Sequence, residues 1–90
     1  MKILEMTLKK KWFDMISSGE KKEEYREVKP YWESRICGKE HTHVRFRNGY
    51  TKNAPSITCK LRSCVISEGR PEWGAVTGTK YFVLKLDGVV

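Results

Sequence analysis

Residues Glu20 to Val28 carry seven charges in nine consecutive positions, yet they lie between two apolar stretches and read as a strand. A strand that charged has little reason to fold unless its ionic groups face one another or face a ligand. Side chains alternate across a strand, so Glu24 and Arg26 share one face, while Glu23, Tyr25 and Glu27 share the other. An acid and a base on one side, with two acids and a tyrosine on the other, can form a self-satisfied ladder. As an exposed pair, Glu24 with Arg26 is worth less than about 1 kcal/mol. Lys21 stands in the preceding turn, outside the strand's alternation, and can serve either face.

The rest of the chain supplies the scaffold. Ile3, Leu4, Met6 and Leu8 make a short first strand. Thr7 is placed to cap a helix from about Leu8 to Ser18, with Trp12, Phe13 and Ile16 on its inward face. Gly19 fits the left-handed position that closes a helix. Pro30, Tyr31 and Trp32 end the charged strand in a turn or short helix reaching Ile36. In HTHVRFRNG, Val44 and Phe46 point one way and Arg45 and Arg47 the other, before the Asn48-Gly49 turn signal. A loop runs to Pro55. Ile57, Cys59 and Leu61 alternate with Thr58, Lys60 and Arg62, and the adjacent apolar pair Val65 and Ile66 predicts a bulge near Ser63. Residues 69 to 78 are loop, and residues 80 to 86 close the chain as a strand with Phe82, Leu84 and Leu86 inward.

Many strands and one good helix after the first strand predict an α+β, mostly β domain in which a small barrel closes the sheet edges. Ninety residues suit one domain, 1–90, with a modest core. The apolar character of the N-terminus is broken by Glu5 and then by three lysines, Lys9 to Lys11, and no apolar run approaches a membrane span. Cys37, Cys59 and Cys64 are odd in number and lack CxxC spacing, which predicts buried thiols in a cytoplasmic protein. His41 and His43 lie near Cys37, but no fourth ligand stands at zinc-site spacing, so neither a metal nor another cofactor is predicted.

Charge points to a partner. The chain carries 18 basic and 11 acidic residues, a net +7. Residues 41 to 67 hold Arg45, Arg47, Lys52, Lys60 and Arg62 and no acid, so five of the seven surplus charges sit there. A basic patch attracts polyanions, of which nucleic acid is the commonest. If residues 42–48 pair with 56–63, then Arg45, Arg47, Lys60 and Arg62 share an outer face. Facing like charges repel by about 0.2–1 kcal/mol each, and a phosphate backbone would relieve them. Trp73, between Pro71 and Gly74, is a candidate for stacking on a base, with core packing as its alternative role. Glu68 and Glu72 are candidate second carboxylates.

Gly19, Lys21, Glu24 and Arg26 in the spacing G-x-K-x-x-E-x-R, entering a strand after an amphipathic helix, resemble the signature of the ASCH domain, a relative of the PUA-like β-barrels. FDMISSGEKKEEYR at residues 13 to 26 carries the match. EWGAVTGTKYFVLKL at residues 72 to 86 is similar to the closing segment of short single-domain members, so the resemblance spans nearly the whole chain. It implies a compact PUA-like barrel with a cleft beside the helix, lined by Lys21, Glu24 and Arg26, that binds RNA or a modified nucleoside or nucleotide. The chemistry agrees: an ammonium for phosphate, a guanidinium fork for phosphate or a base edge, a carboxylate for an exocyclic amine.

One branch of the family resembles an amidohydrolase acting on acetylcytidine, with a threonine nucleophile three residues after the motif lysine. Here that position is Glu24, which cannot replace a lysine-activated hydroxyl in the same step. The alternative function is therefore a small hydrolase of a nucleoside amide or an RNA phosphodiester, with Lys21 and Glu24 as a catalytic acid/base pair.

Overall fold

Alternation in the first strand buries Leu4, Met6 and Leu8 on one side and leaves Glu5 exposed. This strand, β1 (Ile3–Leu8), takes in Thr7, the predicted cap, and Leu8, the first residue of the span predicted as helix. In the computed structural model, which describes residues 1–90, Leu8 still pairs in register with Asn48. Strand pairing thus holds Thr7 and Leu8 extended, and Thr7 does not cap the helix. Helix α1 (Lys10–Ser17) starts after Lys9, with no side-chain hydrogen bond at its cap, and buries Phe13 and Ile16. Gly19 ends it at φ +85°, a left-handed conformation that costs a glycine little.

The chain continues as β2 (Glu23–Glu27), α2 (Pro30–Ile36), β3 (His43–Asn48), β4 (Ser56–Glu68), a 3-10 turn (Pro71–Trp73) and β5 (Lys80–Val89). Proline is well suited to the first turn of α2, where its missing N–H has no intrahelical partner. β2 is shorter than the charged stretch that reads as a strand, because Lys21 and Lys22 remain in the connection that leaves α1.

The five strands form one mixed sheet in the order β1-β3-β4-β5-β2, with β1 parallel to β3 and every other pair antiparallel. β4 is long enough to serve two neighbours: residues from Ser56 to Lys60 face β3, and residues from Cys59 onward face β5. Its register shifts between Cys59 and Leu61 and again between Leu61 and Ser63, close to the predicted bulge. Bulges bend a strand and sharpen its twist, so the sheet curls into a half-barrel. Closure is partial. β1 and β2 end the strand order without a ladder between them, and both helices lie in the connections between β1, β2 and β3.

Apolar residues from four strands and both helices meet on the concave face, among them Val44, Phe46, Phe82 and Leu84. β5 is buried on its other face as well. Tyr81 and Val83 pack there with Tyr25 and Ala75, a second cluster that alternation with Phe82, Leu84 and Leu86 inward did not predict. The loop after β4 is drawn over this cluster, so that side of the strand is also removed from water. No helix is long and apolar enough to cross a membrane.

Candidate functional site

Three local devices bring the motif residues together. The Lys21 amide donates to the Met15 carbonyl at 2.9 Å, which folds the turn back onto α1. β2 alternation sends Glu24 and Arg26 to one face. Glu24 is register partner to Leu84, and Arg26 to Phe82, so central β5 positions both.

Lys21 Nζ binds Glu24 Oε1 at 2.5 Å, and Arg26 Nη1 binds Glu24 Oε2 at 2.5 Å. Their side chains are 1%, 6% and 17% exposed for Lys21, Glu24 and Arg26 respectively, so Glu24 and Arg26 are not the plain surface pair that alternation alone allows. The Lys21 ammonium also lies 4.9 Å from the Trp12 ring centroid and 5.2 Å from that of Tyr25. Two π faces thus surround the part of the ammonium that Glu24 does not meet. Burial lowers the Lys21 pKa from its usual value; the Glu24 carboxylate opposes the shift and the Arg26 charge adds to it. Lys21 sits behind Glu24 rather than at the cleft surface.

Arg26 is tied down on several sides. Nη1 also donates to the Tyr25 carbonyl at 2.8 Å, Nη2 donates to the Thr7 carbonyl at 3.1 Å, and the guanidinium lies 5.1 Å from the Trp32 ring centroid. Nε and one Nη2 hydrogen remain as donors, and each Glu24 oxygen retains a lone pair. An acceptor and a donor therefore stand side by side in the seam between β1 and β2.

A cleft of about 820 Å³ opens along that seam. Glu24, Arg26, Trp12 and Trp32 line one part of it, and Lys9, Arg47 and Tyr50 line another. Tyr31 meets Trp32 edge to face at 4.9 Å. A smaller hollow of about 330 Å³ shares Trp12, Glu24, Arg26 and Trp32 with the cleft and adds Trp73. Trp73 is half-buried against the Tyr25 cluster, with the Arg70 guanidinium 5.0 Å from its ring centroid. It both packs and borders the smaller hollow.

The other charged candidates disperse. Arg45 pairs with Glu5 at 3.5 Å, Arg47 reaches the cleft, Lys60 is exposed beside His43, and Arg62 borders separate hollows beyond the register shift. The register puts Arg45, Arg47 and Lys60 on one face of the β3–β4 pair, but no two of them face each other directly, because Thr58, Ser56 and His43 stand opposite. Glu68 accepts from the Gly78 amide at 2.9 Å, and Glu72 lies 3.9 Å from Arg70. The His41 ring meets the Arg35 carbonyl at 3.0 Å, and the His43 ring meets the Thr42 hydroxyl at 2.7 Å. Of the three thiols, Cys59 alone is fully buried; burial pushes its pKa up to about 11, and Cys37 is exposed.

Sequence reasoning missed Trp12 and Lys9 as cleft residues, whereas Trp32, Tyr31 and Tyr50, read as turn or loop aromatics able to stack on a base or cover the barrel end, do line the cleft. Trp12 falls at the same helical spacing as Phe13 and Ile16 and so reads as core, although it covers the Lys21 ammonium. The Thr7 carbonyl is a backbone group and leaves no sequence signal. Tyr25 was also missed: its hydroxyl donates to Glu23 at 2.9 Å and accepts from the Arg70 amide at 2.9 Å, pinning the loop after β4. Burial pushes the Tyr25 pKa up to about 12. No family model, no curated protein and no solved structure matches the chain.

Proposed function

We propose that the chain is an ASCH-type domain of the PUA-like barrel class that binds RNA or a modified nucleoside or nucleotide in the cleft between β1 and β2. The observation that carries this reading is the pairing of an oriented acceptor, Glu24, with an oriented donor, Arg26, between the aromatic side chains Trp12 and Trp32. Such a pair suits the polar edge of a nucleobase, and the rings suit its faces. Lys21 acts through Glu24, holding the carboxylate in place with a buried ion pair. A cytoplasmic location goes with this reading, since all three cysteines are free.

Titration of the protein with short RNAs, nucleosides including acetylcytidine, and nucleotides tests it, followed by tryptophan fluorescence at low and high salt. Saturable quenching is the expected result, with phosphate-bearing ligands losing affinity as salt rises. Absence of saturable binding across the panel overturns the reading. Release of acetate from acetylcytidine, or cleavage of the RNA, that disappears in Lys21→Ala would replace binding with hydrolysis as the function.

A further inference from the structure

Resting on the proposal that the cleft holds a nucleobase beside Glu24 and Arg26, we infer that Arg47 and Lys9 form a phosphate subsite in the same cleft, making the ligand a nucleotide rather than a free nucleoside. The charges that line the cleft are Glu5, Lys9, Glu24, Arg26 and Arg47. Glu24 is occupied by Lys21 and Arg26, and Glu5 lies against Arg45. Lys9 and Arg47 have no carboxylate within ion-pair distance. Arg26, neutralised by Glu24 and anchored to two carbonyls, is unsuited to anchoring a phosphate. The surplus positive charge of the cleft therefore resides with the other two cations.

Their placement relative to the base-reading pair is set by β1. Arg47 is register partner to Thr7, the residue whose carbonyl receives Arg26. Adjacent strand backbones lie about 4.8 Å apart, so Arg47 begins one strand spacing from the point where Arg26 docks. Lys9 follows Leu8, which pairs with Asn48, and so stands next to the same strand end. A base edge and the phosphate of one nucleotide can span such a separation. Arg47 is also pre-held: its Nη2 donates to the Thr51 and Lys52 carbonyls at 3.0 and 3.2 Å, which fixes the guanidinium and leaves Nε and Nη1 as separate donors. A fixed guanidinium loses less freedom on meeting an anion, and its bonds to phosphate are charge-assisted.

The test is calorimetric titration with the four common nucleosides and their 5′- and 3′-monophosphates, using wild type, Arg47→Gln, Lys9→Gln and the control Lys60→Gln. At least one monophosphate should bind roughly tenfold or more tightly than its nucleoside at low salt, with inorganic phosphate competing for that increment alone. Arg47→Gln and Lys9→Gln should each shrink the increment without changing nucleoside affinity, and Lys60→Gln, which removes an exposed cation outside the cleft, should leave it intact. Arg47 also holds the turn after β3, so Lys9→Gln keeps the test decisive if Arg47→Gln fails to fold. Equal binding of nucleoside and monophosphate overturns the subsite but spares the base-binding reading, whereas no binding of either overturns both. A monophosphate preference that survives Lys9→Gln and Arg47→Gln overturns the assignment of these residues.

Discussion

Arg26 on β2 donates to the Thr7 carbonyl on β1 at 3.1 Å, so the two edge strands of the curled sheet meet through a side chain instead of a ladder. The same guanidinium holds Glu24, and Glu24 holds Lys21. One chain of contacts thus joins the turn after α1, the middle of β2 and the end of β1. A seam joined at this contact stays open along the rest of its length, which is where the cleft lies.

Glu24 should be the least replaceable member of the triad. Glu24→Gln leaves two cations facing an amide, one of them almost wholly buried, and should cost about 3–5 kcal/mol in chemical denaturation. Replacing all three together with apolar residues, as in Lys21→Met with Glu24→Leu and Arg26→Met, should cost less than Glu24→Leu alone, because no buried charge is then left unpaired. A triple variant less stable than that single variant would contradict this account.

Tyr25 should give the protein an alkaline liability. Its folded pKa of about 12 lies above the ordinary 10.0, so between those values the native state binds more protons than the unfolded state. The stability it contributes is complete below 10 and is lost as pH rises toward 12. Denaturation midpoints of the wild type should fall through that window, and Tyr25→Phe should fall less. Lys21 has the opposite sign: its lowered pKa makes stability increase with pH up to its ordinary value of 10.5.

Gly69 is closely fitted to Tyr25. A Cβ at this position would stand 2.6 Å from two ring carbons of Tyr25 and 2.9 Å from the Ala75 Cβ. Gly69→Ala should therefore destabilise by about 1–3 kcal/mol, as overpacking does, measured by thermal or denaturant unfolding. Combination with Tyr25→Leu should reduce that penalty, since most of the clash is with the ring, and a double-mutant cycle reads the coupling directly.

Binding tests should separate the tryptophans. Trp32 lines both the cleft and the smaller hollow, whereas Trp73 borders only the latter. Trp32→Ala should weaken nucleotide binding by about 1–3 kcal/mol, the range for a stacked base, and Trp73→Ala should weaken it less. Equal losses would move the bound base to the Trp73 side.

Much of this arrangement is legible in local patterns. The alternation of Val44, Arg45, Phe46 and Arg47 predicts the β3 faces, the Asn48-Gly49 signal predicts the hairpin, and Gly19 predicts the end of α1. The parity of Glu24 and Arg26 predicts their shared face. These features follow from backbone geometry over a few residues, which every sequence of that pattern feels in the same way.

Burial of Lys21 and Glu24, the partial closure of the sheet, and the role of Trp12 as a lid over an ammonium lie beyond such patterns. Arg26 reaches Thr7 across nineteen positions of chain, and β1 finds β3 across two helices and a strand. Contacts of that range depend on how far bulged β4 curls the sheet, a sum of many small packing terms that no single stretch of residues carries. Residue pattern settles which way a side chain points; the curl of the sheet settles what it meets there.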